Sequence, residues 1–540
     1  MLNKFVGTKH ILKRESTVKI IPIILTAAFT LVGCSEPSNT NAANAEKTSE
    51  LSKVPSKSTK PNILFIFADD QSPKTIGAYG NTEIQTPNLD KLAQKGVNFT
   101  NAHNMGAWNG AVCQASRTML NSGRSVWQAH KMDKEFNQGK GIDKTWAKLL
   151  EAQGYNTYMT GKWHVAAKAD KVFNTSTHVR PGMPKDHWDH YKMVQLFRDF
   201  YAGKTQYKSV EEFMPVGYNR PLGPEDNSWS PTDTTQGGFY QGGKHWSEVL
   251  KDDAVAFIEQ AATKPDPFFM YIAFNAPHDP RQAPQAYQDK YTAAELSLPK
   301  SWQANYPEKD LIGNGPSLRD AALAPFPRTE YATRAHLKEY YALITHLDTQ
   351  VGEIMAALKA SGKMDNTYII YTADHGLAVG EHGLFGKQNM YDESIRAPFI
   401  IWGPGIEGGQ KVDANIYLQD AMATSLELAG VEKPDYVFFN SIIDLAKGQT
   451  TKSHYDAIYG AYVKSQRMIK KDGFKLIVYP DANKVKLFDL KADPDEMQDL
   501  ANNNMYLSKV KDLFSELLRL QNSFEDQVDL TQMYKQYVKF

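Results

Sequence analysis

The stretch Pro61-Asn62-Ile63-Leu64-Phe65-Ile66-Phe67-Ala68-Asp69-Asp70 opens the foldable part of a 540-residue chain. Its unbroken apolar run, rich in Ile and Phe, predicts a central strand buried on both faces, as in an α/β sheet covered by helices. The two carboxylates that follow fall at the strand's carboxyl end, where open α/β sheets place ligands. Adjacent aspartates at a buried strand end repel each other, and a cation between them relieves this. Taken alone, Asp69 and Asp70 suit an ordinary turn or cap better than a metal site. Residues 267–274, 367–372 and 396–402 read as further buried strands. Helical patterns stand between them: one opened by Thr86 as N-cap and Pro87 at its first position, then 143–153, 247–262, 330–360 and 418–428. Residues 165–240 and 280–328 show no dominant period and read as long loops, which in compact domains usually carry function.

The 61 basic and 61 acidic residues balance, and 41% of the chain is hydrophobic, so nothing favours nucleic acid as a partner. The N-terminus carries Lys4, Lys9, Lys13, Arg14 and Lys19 ahead of an apolar run over 20–32. That run is shorter than the roughly 20 residues a membrane span needs and suits a cleaved export signal. Leu31-Val32-Gly33-Cys34 resembles a bacterial lipobox, which would make Cys34 a lipidation site and the chain a periplasmic or outer-membrane lipoprotein of a Gram-negative bacterium. It would then touch the membrane only through its lipid anchor. An uncleaved anchor and a plain secretory signal are the alternatives. The predicted organisation is a signal over 1–34, a flexible tether over 35–60, a catalytic domain over 61–450 and a C-terminal subdomain over 451–540.

Only two cysteines occur, so Cys113 is expected to be the sole thiol of the folded domain and has no internal disulfide partner. The sequence Cys113-Gln114-Ala115-Ser116-Arg117 combines small or polar neighbours with a guanidinium four residues on. This suits a reactive group about as well as a buried core cysteine. With Cys113 at the start of a short helix, backbone N–H groups and the positive dipole end would face an anion.

The pentapeptide resembles the signature of the formylglycine-dependent, or type I, sulfatases of the alkaline-phosphatase-like superfamily, with Ala115 where most members carry Pro. Other strings agree in order. The segment 154–164, ending Gly161-Lys162-Trp163-His164, resembles the second sulfatase signature; in a strand-like geometry Lys162 and His164 would project to one side. Pro277-His278 follows the 267–274 strand, Asp374-His375 follows the 367–372 strand, and Lys387 stands after Leu384-Phe385-Gly386. Leu487-Phe488-Asp489-Leu490 and Asp493-Pro494 resemble the family's C-terminal ending.

The resemblance implies a large, mixed but mostly parallel central sheet sandwiched by helices, with a smaller antiparallel C-terminal subdomain. It implies that Asp69, Asp70, Asp374 and His375, together with the group at 113, hold one divalent cation of the Asp-His subgroup. Calcium is preferred for an oxygen-rich set, with magnesium or manganese as alternatives. A maturing enzyme would oxidise Cys113 to formylglycine (3-oxoalanine), whose hydrate is the nucleophile. Lys162 and Lys387 would neutralise the sulfuryl group, His278 would protonate the leaving alcohol, His164 would orient the diol or assist as acid or base, and Arg117 would hold the diol in place. The expected substrate is a sulfated glycan. A phosphodiesterase or phosphonate hydrolase of the same superfamily, an aryl sulfatase and a non-catalytic glycan-binding lipoprotein are the competing readings.

Overall fold

The computed structural model describes residues 60–182 and 186–537. The signal, Cys34 and nearly all of the tether lie outside the described residues. The strand β1 (Asn62–Ala68) is buried along its whole length, which is why its sequence shows no polar alternation. Each large side chain removed from water here contributes about 2 kcal/mol before the entropy of ordering it.

The strands of the large sheet, in chain order, are β1, β2 (Val97–His103), β3 (Asn156–Lys162), β4 (Thr175–Arg180), β5 (Phe268–Ala273), β6 (Thr367–Ala373), β7 (Arg396–Trp402), β8 (Gln410–Val412) and β9 (Ile416–Tyr417). They lie in the order β8-β2-β7-β6-β1-β5-β3-β4, with β9 also on β2. The core β6-β1-β5-β3-β4 is parallel throughout, and β7 runs antiparallel to both β6 and β2. Parallel neighbours deliver their carboxyl ends to one edge. In register, Ala68 faces Ala373, so the residues that follow each strand emerge side by side.

The helix Glu330–Ala360 matches its expected span, and its middle is buried. From it Tyr340 donates a 2.5 Å hydrogen bond to the Asp70 carbonyl, tying the helix to the sheet edge. Two expectations need correction. Residues 165–240 are not all loop: β4 extends the sheet beside β3, and His190–Tyr201 is a helix. The strand Thr175–Arg180 sits at the sheet's edge and is largely solvent-accessible, so its sequence lacks the apolar run that marks β1. The Thr86 side chain does not cap its own helix; its Oγ1 accepts from Gly77 N at 2.9 Å instead. Among the described residues no helix is long and apolar enough to cross a membrane.

A second sheet is built from Ile458–Tyr462, Gln466–Lys471, Phe474–Tyr479 and Lys484–Asp489, antiparallel throughout, with the helix Leu507–Ser523 following. Its edge is completed by Gly106–Ala107, from far earlier in the chain, parallel to Ile458–Tyr462. Gly106 has φ +98°, and a Cβ there would fall 1.8 Å from the Ala461 carbonyl oxygen. Gly106→Ala therefore combines left-handed strain with a backbone collision. It should cost at least about 2 kcal/mol and lower the thermal midpoint by several degrees, measured by calorimetry.

Candidate active site

In a regular strand Asp69 and Asp70 would point to opposite faces. Here Asp70 takes φ +67°, a left-handed turn that Asp tolerates, and both carboxylates approach the same point. Asp374 joins them from the end of β6: its Oδ1 accepts from Asp70 N at 3.1 Å, and its own N–H donates to Ala68 O at 3.3 Å. His375 Nε2 lies 3.2 Å from Asp70 Oδ1, while its Nδ1 is 2.8 Å from the Gly376 carbonyl, which fixes the ring.

The helix Val112–Ser122 brings Cys113 to this cluster from its first turn. Cys113 Sγ lies 3.3 Å from His375 Nε2 and 3.6 Å from Asp70 Oδ1. Burial is the main cause that pushes its thiol up to about 11, so the unmodified residue is a poor nucleophile at neutral pH. One helical turn later Arg117, fully buried, donates from Nε to Asp374 Oδ2 at 2.9 Å and from a terminal nitrogen to the Lys162 carbonyl at 2.6 Å. Its guanidinium also lies over the Phe67 ring. In the substrate-free arrangement Arg117 thus holds the carboxylate frame.

Lys162 ends β3 and pairs through Nζ with Asp69 Oδ2. Gly161 before it has φ +92°, and a Cβ there would fall 2.0 Å from the Ala273 carbonyl oxygen, so only glycine lets β3 lie this close to β5 while turning Lys162 inward. The strand stops at Lys162, and His164 takes φ +50°, so the two do not share a strand face as the sequence suggested. His164 nevertheless stays near the centre: burial first, then Lys162 and Arg117, hold its imidazole well below the usual pKa. Its Nδ1 is buried without a hydrogen-bond partner.

Lys387 reaches the cluster from the opposite side, with Nζ 2.7 Å from Asp70 Oδ2 and 2.9 Å from His278 Nε2. His278 Nδ1 faces the Asp279 carbonyl at 2.7 Å, so Nδ1 carries the hydrogen and Nε2 is left facing the site. Burial outweighs the attraction of Asp70 and keeps this ring neutral. Sequence reasoning missed the support behind Lys387. Asp320 lies 3.6 Å from its Nζ and accepts from Arg319 at 3.0 Å and from Gln388 at 2.5 Å. Asp320 belongs to the aperiodic stretch before the Glu330 helix, and its only trace in sequence is its place beside Arg319.

Asp69, Asp70, Cys113, Asp374 and His375 each offer a ligand atom, all within 4.8 Å of one another and all buried. Burial, then Asp374, drives the Asp69 carboxyl well above the usual carboxylate range, with Lys162 offsetting only part of it. Asp69 Oδ1 has no hydrogen-bond partner. An orphaned carboxylate oxygen amid converging acids fits a hard cation, and the donor set, three carboxylates and one imidazole, suits calcium, magnesium or manganese better than a softer metal.

Residues 61–431 match the sulfatase family. The chain belongs to that family. This sulfatase, a sulfuric ester hydrolase, also matches over residues 380–523 the C-terminal region described for N-sulphoglucosamine sulphohydrolase. It is 28% identical to an arylsulfatase of Clostridium perfringens, over 88% of this chain and 98% of that protein. It is 25% identical to an N-acetylglucosamine-6-O-sulfatase of Bacteroides thetaiotaomicron, over 96% and 92%. To an ulvan-active sulfatase of Formosa agariphila it is 27% identical, over 81% and 73%. Its fold is similar, with a TM-score of 0.63 at 23% identity over 87% of this chain and 99% of the other, to a solved structure in complex with D-glucosamine-2-N,6-O-disulfate. It is likewise similar to a phosphonate monoester hydrolase of Agrobacterium radiobacter, with a TM-score of 0.62 at 21% identity over 86% and 96%.

A cation that binds only the folded state stabilises it by mass action. Calcium or magnesium returned to the stripped sulfatase at a hundredfold excess over its Kd should add about 2.7 kcal/mol and raise the melting midpoint. Asp69→Asn should abolish most of that gain; a parent midpoint indifferent to both ions would remove the assignment of this cluster as a metal centre.

Proposed function

We propose that this sulfatase removes sulfate from sulfated glycans outside the cytoplasm, anchored through Cys34. The observation that carries the catalytic part is the meeting of Cys113 Sγ with Asp70 and His375 at 3.6 and 3.3 Å, with Lys162 and Lys387 flanking. A carbohydrate substrate is supported by similarity to sulfatases named for N-acetylglucosamine 6-O-sulfate and ulvan. Export is supported by the basic, then apolar, N-terminal sequence ending Leu31-Val32-Gly33-Cys34.

Asp69, Asp70, Asp374 and His375 would hold the divalent cation, calcium by preference, which supplies Lewis-acid polarisation of the sulfate ester. Formylglycine at position 113, made by a sulfatase-maturing enzyme, supplies a hydrated aldehyde as nucleophile in place of a thiol that burial keeps protonated. The remaining work falls to side chains already in place. Lys162 and Lys387 exchange their contacts with Asp69 and Asp70 for the oxygens of the sulfuryl group, where negative charge grows in the transition state. Arg117 keeps Asp374 and the Lys162 carbonyl in register with the helix that carries position 113. His278, its Nδ1–H held by Asp279, presents Nε2 to the leaving oxygen. It takes a proton at Nε2 from the Lys387 ammonium 2.9 Å away and passes it to the departing alcohol, and the proton shed by the attacking hydroxyl restores Lys387. His164 orients the nucleophile from beside Lys162. The overall balance is one water consumed, one alcohol and one sulfate released.

Mass spectrometry of the peptide containing residue 113 from the native host should show the aldehyde, and Cys113→Ser in a host that cannot oxidise serine should release no sulfate. An unmodified thiol in an active preparation would overturn the nucleophile. His278→Ala should lower kcat on a sugar sulfate by about a hundredfold or more, and far less on an aryl sulfate whose phenolate leaves unaided. Equal losses on both would refute its role as acid. A chromogenic phosphodiester hydrolysed faster than the matching sulfate ester would favour the phosphoryl-transfer relatives instead.

A further inference from the structure

Away from the catalytic cluster, a cleft of about 790 Å³ lies between the helix Val126–Asn137, the turn after Ile458–Tyr462 and the segment around residues 525–528. Two indoles, Trp108 and Trp127, line it. Trp108 stacks on His130 with ring centroids 5.3 Å apart and planes 10° from parallel, so its ring is held flat against a rigid support. Trp127 is fixed by a 3.3 Å hydrogen bond from Nε1 to Tyr459 Oη.

The charges around the cleft divide into spent and available. Lys131 pairs with Glu525, and Arg467 is held by Asp526, so neither pair has charge to spare. Lys134 and Lys464 have no carboxylate partner within ion-pair distance among the described residues, and Asp481 is the one lining carboxylate left without a cation. Lys134 also stands close to the stacked pair: burial, then Lys134, lowers the proton affinity of His130. The cleft therefore offers flat aromatic faces beside two free ammonium groups.

The cleft is joined to the catalytic pocket by a short piece of chain. Trp108 precedes Cys113 by five residues, a reach of at most about 18 Å. Asn109 Nδ2 donates to Gln114 Oε1 at 3.2 Å, and Gln114 Nε2 donates to Asp133 Oδ1 at 3.1 Å, beside Lys134 on the same helix. The Gly110 carbonyl accepts from Gln388 at 3.2 Å, next to Lys387. An oligosaccharide of several sugars can therefore touch both places.

We propose that this cleft is a second, non-catalytic binding site for an anionic sugar unit of the same glycan chain. A pyranose C–H face packs on Trp108, and its sulfate or carboxylate lies between Lys134 and Lys464. The proposal rests on the reading of the sulfatase as glycan-directed. A small monosulfated ester fills only the catalytic pocket, whereas a chain engages both sites at once and gains from the high effective concentration of its second unit.

The test uses the full-length protein bearing Cys113→Ala, to prevent turnover, with a heparin tetrasaccharide as the anionic probe and chitotetraose as its uncharged counterpart, both followed by calorimetry. Adding Lys134→Ala and Lys464→Ala should weaken heparin tetrasaccharide binding about tenfold, and adding Trp108→Ala instead should do the same. Chitotetraose should bind far more weakly than the heparin tetrasaccharide. In the active protein the two lysine changes should lower kcat/KM on a sulfated polysaccharide relative to that on 4-nitrophenyl sulfate by a similar factor, mainly through KM. Absence of tetrasaccharide binding, equal binding of both probes, or lysine variants that bind like the parent would each overturn the proposal. Failure of the glycan reading itself shows separately, as no free sulfate from any polysaccharide in the active parent, whatever calorimetry records.

Discussion

Three carboxylates that share one dry pocket repel each other, and the architecture around the site is what holds them there. Asp69, Asp70 and Asp374 are all buried, at the ends of adjacent parallel strands in register. Burial opposes the ionisation of each. The Lys387 ammonium works against it at Asp70, as Arg117 and Lys162 do at Asp374, and both carboxyls are held below the usual range, whereas Asp69 is left with a raised proton affinity. The cations that balance the acids come from three different places: Arg117 from the helix Val112–Ser122, Lys162 from the end of β3, and Lys387 from the loop after β6. Removing any one would leave a buried charge without a partner, which is costly. In the proposed reaction the same cations would meet the sulfuryl group, so one device would serve both to hold the acids together and to bind substrate.

Much of this was legible in the sequence because it follows from local rules. The apolar runs of β1, β5, β6 and β7 are strands buried on both faces, and the bounds of Glu330–Ala360 follow from its helical period. Asp69-Asp70 and Asp374-His375 could be placed at the same sheet edge because both follow such strands. What escaped depends on partners remote in the chain. The edge strand Thr175–Arg180 is half solvated and carries no apolar signature. The inward turn at Asp70 and the left-handed His164 depend on backbone angles that neither residue type announces. Asp320, which stands behind Lys387, sits in a stretch with no period at all.

Cys113 illustrates the limit in another way. From the sequence, reactive and buried-core cysteine were equally good readings; the structure places Cys113 in a buried position with its Sγ 3.3 Å from His375 Nε2. Burial raises the thiol's pKa while the surrounding lysines work against that shift, so the environment is poorly suited to a thiolate.

The pairing of Gly106–Ala107 with Ile458–Tyr462 has a temporal consequence. The residues just before Cys113 are locked into a sheet whose other strands are synthesised far later than Gly106–Ala107. Until they arrive, the helix that carries position 113 has no finished wall on that side. If position 113 is oxidised as proposed, an enzyme acting on the unfolded chain would have access to the thiol only until the late strands dock.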